Sequence, residues 1–325
     1  MKPSSLLFRC DATPATGLGH FARCRDLARL LKKECPSLTM RFLGCFNSYA
    51  KEELDVLGFD RFDVEEDAPV VSPLLAELGS ACVLDSYRLT ASDYERAELK
   101  PLRIVAFDDF GVAAEARIAL VLNARVAAQE RFSYRAEAQA LGTEFFLASP
   151  EILALRARAR AIRESVRKVT VFIGGEDLYD RGAVLARSAR EVCESAEVIW
   201  VGGRPIGGGV IAQPLGPSLA DALEESDLVL AGGGRLKYEA GFCLLPVASI
   251  SQTPLQAEDT RDLAERGLCV DLGAASSISA ATLRAGLEAL RGPEARQALR
   301  AAQVRAFPEH GPKRLVALVR RALGL

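Results

Sequence analysis

Residues that build metal centres are scarce in this sequence. Its 325 residues include two histidines and eight cysteines, and no two cysteines are spaced as C-x-x-C. A zinc site needs about four such ligands close together, so no metal is expected. Scattered cysteines in apolar contexts are typical of reduced core thiols, which indicates a reducing compartment.

Long apolar segments and a strong charge of one sign are also missing. No apolar run approaches the roughly 18 residues that cross a bilayer. The formal net charge of −2 provides no basic surface for nucleic acid or anionic lipid. The sequence therefore predicts a cytoplasmic protein, expected to be a monomer, with no membrane span and no nucleic-acid partner.

Short apolar runs alternate with helix-like stretches along the whole chain. Continuous apolar strands between helices favour parallel sheets that are covered on both faces. The strand-like runs are 6–10, 40–45, 82–84, 103–107, 120–122 and 145–147 in the first half, and 169–173, 197–201, 210–212, 228–230, 247–250 and 268–272 in the second.

Two sets of strands indicate two α/β domains, since a chain of this length is too long for one comfortable core. We predict two doubly wound, Rossmann-like domains facing a cleft, over 1–150 and 151–312. A last amphipathic helix is predicted over 313–325. Whether that helix packs back on the first domain is left open by the sequence.

The most informative motif is Gly17-Leu18-Gly19-His20, between the first strand and a helix predicted over 21–31. A helix N-terminus carries unpaired N–H groups and positive potential, so anions bind there. The same potential disfavours a protonated imidazole, which predicts a neutral His20 able to accept a proton. A lone histidine is more often structural, but its place at a glycine-rich strand-to-helix turn favours a functional role.

Acids and glycines follow several other strands, at the edge where parallel sheets bind ligands. Glycines there let backbone N–H groups approach a phosphate closely, so we expect a phosphate-bearing ligand between the domains. Of Asp108 and Asp109, one acid is expected to face the ligand, because neighbours on a strand point to opposite faces. These strand ends carry Asp85-Ser86-Tyr87, Asp108-Asp109, Gly174-Gly175, Gly202-Gly203 and Gly232-Gly233-Gly234.

A dinucleotide-binding enzyme is the first alternative, because Gly17-x-Gly19-x-x-Ala22 formally matches the dinucleotide fingerprint. Five residues, 12–16, separate this motif from the strand, whereas the fingerprint begins almost at the strand end. The second strand also supplies no acid for a ribose. The G-x-x-x-x-G-K-[ST] phosphate loop is absent, so we expect neither NAD nor any other cofactor.

Taken in order, the motifs resemble one family over nearly the whole chain. It is the UDP-2,4-diacetamido-2,4,6-trideoxy-β-L-altropyranose hydrolase family of pseudaminic acid biosynthesis, which has glycosyltransferase-B architecture. The resemblance is carried by Arg9-x-Asp11, Gly17-x-Gly19-His20-x-x-Arg23, Asp85-Ser86-Tyr87, Asp108-Asp109, Asn123, Gly174-Gly175-x-Asp177, Gly233-Gly234 with Glu239 before Pro246, and Gln256 before Gly267.

The resemblance implies a hydrolase that releases UDP and a free sugar by attack of water at the anomeric carbon, with a UDP-sugar as its small-molecule partner. His20 would be the catalytic residue, and we expect Asp11 or Asp85 to hold its tautomer. Glu239 would bind the ribose, and the Gly233-Gly234 turn the diphosphate. The full set of expected substrate contacts is Gly17, Gly19, Arg23, Tyr87, Asp108, Gly174, Gly175, Gly233, Gly234, Arg235, Glu239 and Gln256.

Four positions depart from the family pattern. The family usually has Ser or Thr where Arg235 and Leu236 stand, Asn where Leu255 stands, and an Arg at the end of the segment that here reaches Ser149. An altered sugar or nucleotide pocket follows more naturally than a different reaction. Two alternatives stay open: a glycosyltransferase of the same architecture, and a binder of nucleotide-sugars that does no chemistry.

Overall fold

Two parallel β-sheets organise the chain, one in each of two compact units. A computed structural model describes residues 5–216 and 218–325. The first unit comprises Met1–Pro150 with His310–Leu325, and the second comprises Glu151–Glu309. The doubly wound α/β class that the sequence predicts is confirmed by these sheets.

The first unit contains a seven-stranded sheet in the order β3-β2-β1-β4-β5-β6-β7. Every neighbouring pair in it is parallel. Its strands are β1 Ser5–Cys10, β2 Thr39–Gly44, β3 Asp60–Asp63, β4 Ala81–Asp85, β5 Arg103–Phe107, β6 Leu120–Asn123 and β7 Gln139–Leu141.

The second unit contains a six-stranded parallel sheet in the order β10-β9-β8-β11-β12-β13. In both units the strand order reverses beside the first strand, which is the place where open α/β sheets bind ligands. The strands are β8 Lys168–Phe172, β9 Glu197–Val201, β10 Val210–Gln213, β11 Leu228–Gly232, β12 Val247–Ser251 and β13 Val270–Ala274.

Helices cover the sheets and connect their strands. Within the described residues none of them is long and apolar enough to cross a membrane. They are α1 Gly19–Glu34, α2 Ser48–Leu57, α3 Leu74–Leu78, α4 Ala128–Arg131, α5 Pro150–Ala157, α6 Gly182–Val192, α7 Ala220–Leu223, α8 Leu236–Phe242, α9 Pro254–Glu265, α10 Ala280–Glu288, α11 Pro293–Ala306 and α12 Gly311–Leu323.

The last helix, α12, belongs to the core of the first unit. Leu315, Val319 and Leu323 are buried among apolar side chains of β1, β4 and β5. The guanidinium of Arg103 on β5 also donates a hydrogen bond to the carbonyl of Ala322. The sequence prediction ended the second domain at residue 312, whereas the structure ends the second unit at residue 309.

The sequence analysis assigned one strand wrongly and missed another. Residues 145–147 were predicted as a strand, but they begin in a short 3₁₀ turn, Thr143–Phe145, and Phe145 and Leu147 pack in the core of the first unit. The strand is β7, just before them. The edge strand β3 was missed because its sequence, DRFD, is polar and mostly exposed.

Burial of α12 sets the first testable expectation. Val319→Ala removes two fully buried methyl groups and should lower the free energy of unfolding by about 2 kcal/mol. Val304, half exposed on α11, is the matched control, and Val304→Ala should change stability by less than about 0.5 kcal/mol. Denaturant unfolding of both variants measures the difference, and equal effects would contradict the packing of α12.

Candidate active site

The loop after β1 sets the direction in which α1 begins. Gly17 has φ +67°, a conformation that glycine adopts without strain, and its N–H donates to Thr13 O over 2.8 Å. The hydroxyls of Thr13 and Thr16 also hydrogen-bond each other at 3.2 Å. This closed loop carries the chain into α1, which begins at Gly19 and places His20 in its first turn.

A carboxylate at the end of β4 orients His20. Asp85 Oδ1 lies 2.5 Å from His20 Nδ1, and both side chains are buried. Because an ionised carboxylate only accepts hydrogen bonds, Nδ1 carries the proton. In the neutral form of the imidazole, the nitrogen without a proton is then Nε2.

Arg23, one turn further along α1, completes this arrangement. Its Nε and Nη2 donate to Asp85 Oδ2 and Oδ1 over 2.9 and 2.7 Å, and its Nη1 donates to Asp109 Oδ2 over 2.7 Å. The hydroxyl of Tyr87 donates to the same Asp109 oxygen over 2.9 Å. One guanidinium thus connects the last residue of β4 with a residue that follows β5.

The ionised form of Asp85 is stabilised by its hydrogen-bond partners. Burial by itself raises the pKa of this carboxyl group, but Arg23 and His20 outweigh burial and bring the pKa below its usual value. Asp85 is therefore a carboxylate at neutral pH. Its Oδ1 can therefore accept the hydrogen bond from His20 Nδ1–H.

Two acids expected at the site from the sequence lie elsewhere in the hydrogen-bond network. Asp11 does not bind His20, because its Oδ1 accepts from Arg9 Nη1 at 2.6 Å. Asp108 accepts hydrogen bonds from the backbone N–H groups of residues 110, 112 and 113, so it shapes a loop. Of the neighbouring pair Asp108 and Asp109, the residue that faces the His20 network is Asp109, and this corrects the sequence-based choice of Asp108.

A recess of about 800 Å³ opens beside His20 within the first unit. Asp11, Thr13, Tyr87 and Arg88 line it together with the imidazole, and residues 65–67 form another part of its wall. The Tyr87 ring lies nearly perpendicular to the His20 ring, with 4.2 Å between centroids. The imidazole of His20 is therefore part of the wall of this recess.

In the second unit, a glycine turn follows β11 and leads into α8. A Cβ on Gly233 would lie 2.6 Å from Gln256 Cβ, so only glycine fits there, whereas a Cβ on Gly234 would meet no atom within 4 Å. Gln256 is held by its own backbone N–H, which donates to Thr253 Oγ1 over 3.2 Å. Gly233, Gly234 and Gln256 are therefore neighbours, which is expected if the motifs that contain them form one site.

Gln252, which the sequence reasoning missed, joins this turn to the glycines that follow β8. Its Nε2 donates to the carbonyls of Ile173 and Glu176 over 3.3 and 3.1 Å, on either side of Gly174 and Gly175. Its backbone N–H donates to Gln256 Oε1 over 2.9 Å. The only signal in the sequence was its position directly after β12, at the ligand-binding edge of the sheet.

Two ion pairs of α8 bear on this region. Arg235 Nε lies 3.0 Å from Glu239 Oε1, one helical turn away, and both side chains are largely shielded from solvent. Lys237 is buried, and its Nζ donates to Gly233 O over 2.7 Å and lies 2.8 Å from Asp259 Oδ2. Lys237, which the sequence reasoning also missed, therefore holds the backbone of the glycine turn in place through Gly233 O.

The positions that depart from the family pattern have different surroundings. Leu255 is half exposed on the first turn of α9, whereas Leu236 and Ser149 are buried. Asp177 binds the N–H groups of Arg181 and Gly182 and so caps α6.

Within the described residues, no cluster of three or more His, Cys, Asp or Glu side chains is arranged to hold a metal ion.

Comparison with known proteins finds similarity in fold and not in sequence. No protein-family model and no curated protein sequence matches the chain. Among solved structures, it is similar to the spinosyn forosaminyltransferase SpnP (TM-score 0.68, 14% identity, all of both chains). It is also similar to the calicheamicin glycosyltransferase CalG4 (TM-score 0.65, 14% identity, 100% of this chain and 99% of that one).

A third similar structure is MurG from Acinetobacter baumannii (TM-score 0.62, 13% identity, 98% of this chain and 99% of that one). Identities this low show a common fold and leave the reaction open. Together with the two doubly wound parallel sheets, they show that the chain has the glycosyltransferase-B fold.

Proposed function

We propose that this protein hydrolyses a UDP-sugar, with His20 as the general base that activates water for attack on the anomeric carbon. The observation that carries the proposal is the 2.5 Å contact between His20 Nδ1 and Asp85 Oδ1, which leaves Nε2 free to accept a proton beside an open recess. A base oriented in this way is worth about 10²–10⁴-fold in rate.

The fold supports a nucleotide-sugar as the substrate class. SpnP and CalG4 are named as glycosyltransferases, and this chain matches them over its full length. UDP is a good leaving group, so stabilising its developing charge matters more than protonating it. The finer assignment, a diacetamido-trideoxy sugar of pseudaminic acid biosynthesis, rests on the motif resemblance.

In this proposal the second unit holds the nucleotide. Gly233 and Gly234 would approach the diphosphate, since Gly234 is open and the turn is braced by Lys237 and Gln256. Glu239 would accept hydrogen bonds from the ribose hydroxyls. Gly174 and Gly175, tied to the same turn through Gln252, would form the neighbouring wall.

Sugar transfer to an acceptor is the second candidate. The recess beside His20 has a volume of about 800 Å³, far more than one water molecule needs, so it can hold an acceptor. The same base would then deprotonate the acceptor hydroxyl. Release of free sugar without an acceptor supports hydrolysis, whereas UDP release that depends on an added acceptor supports transfer.

Loss of the imidazole tests the role of His20. With UDP-2,4-diacetamido-2,4,6-trideoxy-β-L-altropyranose as substrate, His20→Ala should slow the release of UDP and free sugar by about 10²–10⁴-fold, because the general base is gone. NMR follows both products. His310, the only other histidine, is exposed, so His310→Ala should leave the rate unchanged. A loss of less than about tenfold for His20→Ala would remove this residue from the mechanism.

Nucleotide binding tests the role of Glu239. Glu239→Ala should weaken UDP binding by about 1–3 kcal/mol, since a charged hydrogen-bond acceptor is lost. Isothermal titration with UDP measures this change. Glu265→Ala, an exposed position at the end of α9, is the control and should bind as the wild type does. Unchanged affinity in the Glu239 variant would place the ribose elsewhere.

The ion pair between Arg235 and Glu239 yields a related expectation. Arg235→Ser combined with Leu255→Asn introduces the residue types usual in the family that the motifs resemble and removes the ion pair between Arg235 and Glu239. Turnover of the family's UDP-sugar should rise about three- to tenfold, the value of one hydrogen bond. Steady-state kinetics measure the change, with Arg284→Ser as a control that breaks an exposed Arg–Glu pair. No gain would show that these positions do not contact the substrate.

A further inference from the structure

The recess beside His20 carries an excess of negative charge. Four carboxylates line it: Asp11, Glu65, Glu66 and Asp67. The only guanidinium in its lining is that of Arg88. A phosphate or carboxylate entering the recess would therefore face like charges, which costs free energy even when solvent screens part of the repulsion.

Arg88 is held at the wall of the recess by two hydrogen bonds to backbone carbonyls. Its Nη1 donates to Glu66 O over 2.5 Å, and its Nη2 donates to Ala68 O over 2.6 Å. These bonds fix the guanidinium against the loop that precedes α3. The single positive charge of this guanidinium leaves the four carboxylates of the recess in excess.

Asp11 supplies the one observation that points directly to a ligand group. Its Oδ1 accepts hydrogen bonds from Arg9 Nη1 at 2.6 Å and from the backbone N–H of Cys45 at 2.9 Å. Its Oδ2 is shielded from solvent and accepts no hydrogen bond from the described residues. Arg88 Nη1 lies 3.7 Å from it, an ion-pair distance too long for a hydrogen bond.

An unsatisfied buried acceptor costs about 1–3 kcal/mol, so native structures rarely keep one without a purpose. Asp11 is 2% exposed, yet it lines the recess. A hydroxyl, amide or ammonium group of a bound molecule would satisfy Oδ2. A phosphate or carboxylate would not, because ionised oxygens have no hydrogen to donate.

Tyr87 adds an apolar surface to the same recess. Tyr87 is 61% exposed as a whole residue, although its hydroxyl is bound to Asp109. The exposed ring offers a flat face against which the C–H groups of a pyranose ring can pack. Carboxylate acceptors beside an aromatic face suit a polyhydroxylated ring better than a flat apolar ligand or an anion.

We propose that the recess binds the sugar ring of the substrate through Asp11 Oδ2, which accepts a hydrogen bond from a hydroxyl, amide N–H or ammonium group of the sugar. The site takes neutral and amino sugars and rejects uronic acids and other anionic sugars. This inference rests on the proposed function for its choice of a sugar as ligand. It gives Asp11 a substrate contact in place of the imidazole contact that the sequence suggested.

The proposal is tested by comparing the binding of three hexose derivatives that differ in net charge. Glucosamine is cationic, N-acetylglucosamine is neutral and glucuronate is anionic. The chain has two histidines, so the imidazole C–H signals of His20 and His310 are readily separated by NMR. Glucosamine and N-acetylglucosamine should shift the His20 signal at concentrations about fivefold lower than glucuronate does, whereas exposed His310 should not respond.

Asp11→Asn is the matched variant, because the amide keeps one oxygen for Arg9 and presents N–H groups in place of Oδ2. It should weaken N-acetylglucosamine binding about tenfold, the value of a hydrogen bond to a charged acceptor. If that variant fails to fold, Glu66→Gln at the exposed rim should reduce the preference for glucosamine over glucuronate about twofold.

Equal binding of glucuronate and glucosamine, or no response of His20 to any of the three sugars, would overturn the proposal. The titration needs no turnover, so its outcome is independent of the hydrolysis assay. Failure to release UDP would remove the proposed reaction and leave the sugar-binding result standing. Normal UDP release without charge selectivity would remove the inference about Asp11 alone.

Discussion

The buried carboxylate of Asp85 is the constraint on which the first unit's site depends. A charge in the protein interior is costly unless donors and opposite charges surround it. Here His20 and Arg23, both from the first turns of α1, provide that compensation. Satisfying one buried charge therefore fixes the start of α1 against the end of β4 and, with it, the orientation of the imidazole.

The hydrogen-bond network around Asp85 extends past the end of β5 and ends at Tyr87, which lines the recess. Arg23 continues to Asp109, whose carboxylate also receives the hydroxyl of Tyr87. The imidazole of His20, which this network orients, also lines the recess. The site thus has two parts. One is the hydrogen-bonded network around Asp85, and the other is an acidic recess in which Asp11 Oδ2 accepts no hydrogen bond from the described residues.

In the second unit, side chains hold two glycine-containing segments in place. Its glycine turn is held by side chains that bind the carbonyls, with Lys237 under Gly233 and Gln252 beside Gly174. Arg235 and Glu239 on α8 form an ion pair one helical turn apart, next to this turn.

Periodicity and strand-end motifs were sufficient to predict the two doubly wound sheets and the turn that carries His20. They failed where a segment's polarity did not match its structure, as in polar β3 and in the apolar segment 145–147, because tertiary packing overrides local preference. The glycine turns were visible in the sequence, whereas the side chains that brace them were not.

By itself the sequence determined that a histidine stands at a glycine-rich turn, with acids at neighbouring strand ends. Only the tertiary structure decided which acid does what. Asp85 rather than Asp11 reaches the imidazole, and Asp109 rather than Asp108 faces the network. The reason is physical: side chains alternate in direction along a strand end, and the partner of a buried charge is fixed by distances that chain order does not encode.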